Sequence, residues 1–245
     1  MKPLLALNAL RIPFVCDGLA NTGANINSHL PLEGYKILDV GCGGGIVTEA
    51  LARIGAEATG IDASKELIRV ASEHAALDPD VTGRLNYIQT TIEEFSSKNE
   101  EAYDAIVASE IIEHVNDQEY FLQCCARTIK PGGSLFLTTL NKTLHSWLGG
   151  ILAAEYILGI VPKGTHDWNK FISPNEVQRL LEKCMIFQRN MSKKSKFFIV
   201  FLFSDNCKTK LIHGMFYNPC RNEWSWISST AVNYALHAVK RERRM

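Results

Sequence analysis

From Tyr35 to Asn141 the chain alternates short apolar runs with longer amphipathic segments, a pattern that leaves few ways to fold. YKILDV (35–40) reads as a buried strand. IVTEALARIGA (46–56) reads as a helix with Val47, Ala50, Leu51 and Ile54 on its apolar face, stopped at Gly55. EATGID (57–62) is a second strand, and SKELIRVASEHAAL (64–77) a helix capped by Ser64, with Leu67, Ile68 and Ala71 on one side. LNYIQT, YDAIVASE and SLFLTTLN supply three more strands. Between them lie the short acidic segment TIEEFSSKNEE, the helix DQEYFLQCCARTI and a PGG turn into the fifth strand. Strands that alternate with helices pair in parallel through right-handed crossovers, so the expectation is an α/β fold whose open sheet carries helices on both faces.

Beyond Asn141 the pattern loosens. SPNEVQRLLEKC (173–184) is a helix with Ser173 as cap and Pro174 at its first position. LIHGMFYNP and TAVNYALHAVK read as two strands of a terminal hairpin around the turn-rich NPCRNEW. WLGGILAAEYILGIVP (147–162) fits a core or lid helix, or a segment partly inserted in a membrane surface. The region 185–210, with MSKKSK ahead of FFIVFLF, fits an inner strand, an insertion or an aggregation-prone edge. The expectation is a single domain over 1–245, with a cofactor-binding core at 35–141, an apolar lid or membrane-facing insertion at 142–172 and an atypical segment at 185–210.

A chain of 245 residues that is 46% apolar and 21% charged has material for one sizeable core. Twenty-six basic residues balance twenty-six acidic ones, which argues against nucleic acid as a partner. Seven cysteines without metal-hook spacing point to a reduced compartment. MKPLLALNALRIPFV opens the chain with two basic residues and no acid. Arg11 splits this stretch and no small-x-small site follows, so a removed signal is not the expectation. No run approaches the roughly 20 apolar residues that span a bilayer.

LDVGCGGG sets Gly41, Gly43, Gly44 and Gly45 behind the first strand. Glycine gives up conformational stiffness, which is tolerable where a tight turn or the close approach of another molecule requires it. In an open parallel sheet the ligand crevice lies beyond the carboxyl ends of the strands. Ile46 stands where a dinucleotide fingerprint has its third glycine, which weakens a pyrophosphate reading. Asp62 ends the second strand, where a carboxylate accepts both hydroxyls of a ribose; the alternative is a cap of the next helix. Asp39, in an otherwise apolar strand, needs loop amides or a ligand ammonium as partners. Together these point to a nucleoside that carries an amino acid.

LDVGCGGG, GID, YDAIVASEIIEHV and IKPGGSLFLTTLN resemble the class I S-adenosylmethionine-dependent methyltransferases. More narrowly, LNALRIPFV, SEIIEHV, TLNKTLHSWLGGILAAEYILGIVPKGTHDW, FISPNEV and FYNP are similar to the ubiquinone-biosynthesis O-methyltransferases of bacteria and mitochondria. The likeness covers residues 4–184 and 211–240. It implies a Rossmann-like fold, with a mostly parallel seven-stranded sheet and a C-terminal antiparallel hairpin. It also implies S-adenosylmethionine contacts at Arg11, Gly41, Asp62 and Ser109, which join Asp39 and Gly43 from the reading above.

The resemblance further implies Glu110, Glu113 and His114 around a divalent cation, with magnesium as the expectation. On an α-helical turn, positions i, i+3 and i+4 share one face. The plainer alternative makes the two acids exposed helix-start residues and His114 a packed side chain. A cation held through Glu110 would ease loss of a catechol proton, or His114 would take that proton directly. The implied substrates are polyprenylated dihydroxybenzoates or benzoquinols. They bring with them peripheral contact with the matrix side of the mitochondrial inner membrane and membership of a multi-subunit quinone-synthesis complex. Relatives carry a further segment upstream of LNALR, and mitochondrial ones a targeting sequence; import is not legible in this chain. Another small acceptor, or a non-catalytic cofactor-binding subunit, stays open as an alternative. A nicotinamide dehydrogenase would need the third glycine that this chain lacks at Ile46, and leaves EIIEH unexplained.

Overall fold

The computed structural model describes residues 2–23, 29–143, 168–191 and 208–242. Two N-terminal helices, α1 (Lys2–Ala6) and α2 (Asn8–Ala20), precede the alternating core. That core runs β1 (Lys36–Val40), α3 (Ile46–Arg53), β2 (Glu57–Asp62), α4 (Lys65–Ala75), α5 (Pro79–Thr82), β3 (Leu85–Gln89), α6 (Ile92–Ser96), β4 (Tyr103–Ser109), α7 (Gln118–Thr128) and β5 (Ile129–Leu140). α8 (Pro174–Met191), β6 (Lys208–Asn218), β7 (Glu223–Ile227) and β8 (Asn233–Val239) follow.

The strands form one sheet in the order β3-β2-β1-β4-β5-β8-β6-β7. β1 to β5 are parallel, β8 runs antiparallel between β5 and β6, and β7 lies antiparallel on the outer side of β6. The described sheet therefore has eight strands where the sequence suggests seven. EWSWI, whose first two residues read as turn in the sequence, becomes β7 because Trp224 and Trp226 stand opposite Tyr217 and Met215, and aromatic cross-strand pairs favour a strand. β5 also starts before the PGG expected as a turn. Gly132 donates to the Lys240 carbonyl, the Lys240 N–H donates to Gly133, and a register shift opposite Tyr103 and Ala105 absorbs the irregularity.

Side chains that alternate along each strand divide the core in two. Leu38, Val40, Ile106, Leu135 and Leu137 pack with Phe121, Leu122, Val177 and Leu181 of α7 and α8. Ile37, Val107 and Phe136 pack on the other face with Phe14 and Val15 of α2 and Val47 and Leu51 of α3. Each such side chain contributes about 1.5–3 kcal/mol on burial, so both helical layers are bound to the sheet.

Contrary to the expectation that nothing approaches membrane-spanning length, the helical stretch Pro3–Ala20 is 18 residues long and apolar enough by length and composition alone. Here α2 buries Phe14, Val15 and Leu19 on the sheet, and Arg11 with them. The expected lid between Trp147 and Pro162, and residues 192–207 of the atypical segment, lie outside the described residues. Crossovers from β1 step outward to β2 and β3, whereas β4 begins on the other side of β1. The carboxyl ends of β1 and β4 thus flank the reversal point where open sheets of this kind bind ligands.

Candidate functional site

The glycine turn begins as soon as β1 ends. Gly41, Gly43 and Gly45 have φ of 73°, 53° and 83°, conformations that side chains other than glycine's rarely adopt. The N–H groups of Gly41 and Cys42 both donate to the Ile61 carbonyl, at 2.8 and 3.0 Å, which anchors the turn to β2. A Cβ on Gly41 would stand 2.6 Å from Ile111 Cδ1, whereas one on Gly43 or Gly44 would enter open space. That space is a cradle against which a ligand can lie on bare backbone.

Two carboxylates frame the turn. Asp62 accepts the Gly43 N–H at 3.0 Å with one oxygen and the Ser64 N–H at 2.8 Å with the other. Ser64 itself caps α4, so Asp62 is released from the capping role and braces the turn instead. Asp39 is buried and accepts the Thr48 hydroxyl at 2.6 Å. Burial pushes its carboxyl up to about 6, against the opposing pull of the Thr48 hydroxyl and of Arg11. A buried carboxyl of this kind is suited to a cationic partner.

Across the crevice stands the end of β4. Arg11, only 5% exposed, reaches down from α2, donating from Nη1 to Ser109 Oγ at 2.8 Å and from Nη2 to the Leu4 carbonyl at 2.6 Å. Burial opposes its charge, and the nearby Glu110 and Asp39 carboxylates sustain it. Its Nε has no hydrogen-bond partner. Asn8, one turn earlier, ties α2 to the start of α3 by donating to the Ile46 carbonyl at 2.9 Å. Ser109 Oγ also lies 2.7 Å from Thr138 Oγ1.

Glu110 follows with φ of 54°, a left-handed conformation uncommon for glutamate, and its N–H donates to the Thr138 carbonyl at 2.9 Å. Such strain gathers at functional sites. Glu113, in a 3-10 turn over Ile112–His114, is 3% exposed and accepts the Thr139 hydroxyl at 2.8 Å, while its Oε1 has no hydrogen-bond partner. Burial, reinforced by Glu110, holds the Glu113 carboxyl well above the ordinary carboxylate range. His114 is exposed.

Residues 38–137 match the methyltransferase domain family. The mitochondrial ubiquinone biosynthesis O-methyltransferase of Rattus norvegicus is 44% identical over 97% of this chain and 63% of that protein. The ubiquinone biosynthesis O-methyltransferase of Cronobacter sakazakii is 38% identical over 96% of this chain and 83% of that protein. This chain belongs to the ubiquinone biosynthesis O-methyltransferase family. It spans only about six-tenths of the length of the rat relative. Among solved structures, the magnesium protoporphyrin IX methyltransferase of Synechocystis with bound SAH shares the fold, with a TM-score of 0.59 at 17% identity over 94% of this chain and 82% of that one.

In this ubiquinone biosynthesis O-methyltransferase family member, Arg11, Asp39, Ser109 and Glu110 stand together, and Gly41, Gly43 and Asp62 form the turn facing them. The three residues expected around a cation do not converge. Glu110 precedes the turn in a left-handed conformation, Glu113 points inward to Thr139, and His114 is exposed. The shared helical face therefore does not form, because a 3-10 turn replaces the α-helical one. Among the described residues no group of three His, Cys, Asp or Glu could hold a metal ion. Sequence reasoning passed over Asn8, Thr48, Thr138 and Thr139. The last two were detectable as polar residues closing an otherwise apolar strand, LFLTTL.

Proposed function

We propose that this chain transfers a methyl group from S-adenosylmethionine to a catechol-type hydroxyl of a polyprenylated benzoate or benzoquinol in ubiquinone biosynthesis. The observation that carries the reading is the buried Arg11 guanidinium, bonded to Ser109 and set between Asp39 and Glu110 across from the glycine turn. When bound, the donor supplies a methyl group made electrophilic by its sulfonium. Arg11 offers its Nε–H and remaining N–H groups to the donor's carboxylate, and Asp39 receives the ammonium. Asp62, with acceptor capacity left after its two backbone bonds, takes the ribose hydroxyls. With donor and acceptor oxygen held in line, what remains is proton removal. His114, exposed at the end of the 3-10 turn, takes the proton. No step is routed through a cation, since Glu110, Glu113 and His114 do not converge.

The same reading sets the protein peripherally on the matrix side of the mitochondrial inner membrane, within a quinone-synthesis complex. The mitochondrial names of its animal relatives and the apolar sequence between Trp147 and Pro162 support it. Liposome flotation of Leu152→Asp with Ile157→Asp tests the membrane contact, and undiminished binding would remove it. The activity is tested by calorimetry with S-adenosylhomocysteine, then by methyl transfer to a short-chain dihydroxybenzoate and to a demethylated quinol, with and without chelator. Binding and chelator-resistant transfer are expected, with His114→Ala lowering the rate about a hundredfold. Folded protein with no affinity for S-adenosylhomocysteine would end the reading; loss of transfer on chelation would restore the cation.

A further inference from the structure

Just before its last residue, Leu140, β5 carries two adjacent threonines that face opposite ways. Leu135 and Leu137 belong to the core under α7 and α8, and Phe136 to the core under α2 and α3. Thr138 therefore faces α2 and Thr139 faces the other layer. Both are buried, at 4% and 0% exposed. Thr138 touches the site twice, by its hydroxyl on Ser109 at 2.7 Å and by its carbonyl under the Glu110 N–H at 2.9 Å. A guanidinium only donates, so Ser109 Oγ accepts from Arg11 on one side and is fixed by Thr138 on the other. Thr139 donates to Glu113 at 2.8 Å, and Glu113 is the middle residue of the three-residue turn that ends in His114.

We infer that Thr138 and Thr139 are two positioning residues with separable tasks: Thr138 sets the donor side through Ser109 and Arg11, and Thr139 sets the proton-accepting side through Glu113 and the turn carrying His114. The inference rests on the methyltransferase reading. Neither threonine touches a reacting atom, so neither is a catalytic residue.

Thr138→Val keeps the branched shape and removes the hydroxyl. It is expected to weaken S-adenosylhomocysteine about tenfold, with a matching rise in KM for the donor. Binding of 5′-methylthioadenosine, which lacks the amino-acid part facing Arg11, stays within about twofold, as does kcat at saturating donor. Thr139→Val is expected to do the reverse: kcat falls about tenfold while S-adenosylhomocysteine binding stays within about twofold. Thr138→Ser and Thr139→Ser each restore the wild-type values. Should Thr138→Val not fold, Ser109→Ala cuts the same link from its other end and is held to the same comparison. Equal weakening of both nucleosides, or similar effects of the two valine variants, would reduce the threonines to packing and overturn the inference. Wild-type protein that binds no S-adenosylhomocysteine would instead break the methyltransferase reading on which it stands.

Discussion

The turn after β1 and the turn after β4 face each other at the same end of the sheet, yet they are built by opposite means. The first is a backbone construction: three glycines with positive φ, a shared carbonyl at Ile61 and one brace from Asp62. The second is held by side chains, with Ser109 and Glu113 fixed by threonines of β5 and by Arg11 of α2, and it contains one strained non-glycine residue, Glu110. The two meet where Gly41 lies under Ile111. A backbone turn depends on local residue type, whereas a side-chain turn depends on partners far along the chain, and the two should therefore fail differently under mutation.

The hardest blow to both turns is Gly41→Ala. It combines a φ of 73° with a Cβ only 2.6 Å from Ile111, and the expected loss is about 2–5 kcal/mol in urea unfolding, together with nucleoside binding. Adding Ile111→Ala should recover the packing share alone; full recovery would mean that the glycine's conformation does not matter. Next is Asp39→Asn, read as a pH profile. The Asp39 carboxyl is raised to about 6, so its contribution to apo-protein stability is complete below the ordinary carboxylate range and is lost as pH rises through about 6. The variant should not show that decline, on the order of 2–3 kcal/mol between about pH 4 and pH 7. Wild-type affinity for S-adenosylhomocysteine should fall as pH drops below about 6, because the ammonium then loses its carboxylate, and the variant's affinity should stay flat.

Glu110→Gly works on the second turn alone. Relief of the left-handed strain is expected to raise stability by about 1 kcal/mol while methyl transfer falls, and a stability loss would show that the carboxylate outweighs the strain. The smallest effect belongs to Arg69→Ala, on the exposed side of α4. Its ion pairs with Glu66 and Glu73 lie in solvent, so neither unfolding nor nucleoside binding should move measurably.

The same contrast explains what the sequence disclosed. Alternation of runs was enough for β1 to β5 and their crossovers, because β1, β2, β4 and β5 bury consecutive residues on both faces, and the glycine turn was legible because its geometry needs those glycines. Ser109 and Glu110 could be placed at the end of β4, but not their attachments, since Thr138 and Arg11 reach them from 29 and 98 residues away in the chain. The helical face supposed for Glu110, Glu113 and His114 fails for a related reason: periodicity supposes an α-helical turn, and here the left-handed Glu110 is followed by a 3-10 turn. β7 was missed because its first two residues overlap the turn-rich NPCRNEW and its alternation lasts only five residues, until Trp224 and Trp226 find Tyr217 and Met215 on β6.

Asp62 holds Gly43 and Ser64 by bonds made within the chain itself, one carboxylate oxygen to each N–H. The entropy of ordering this turn is thus settled during folding, and a nucleoside meets a preorganised surface. Donor and spent product present the same ribose to it, so any preference between them must originate at the sulfur, where one carries a positive charge and the other none.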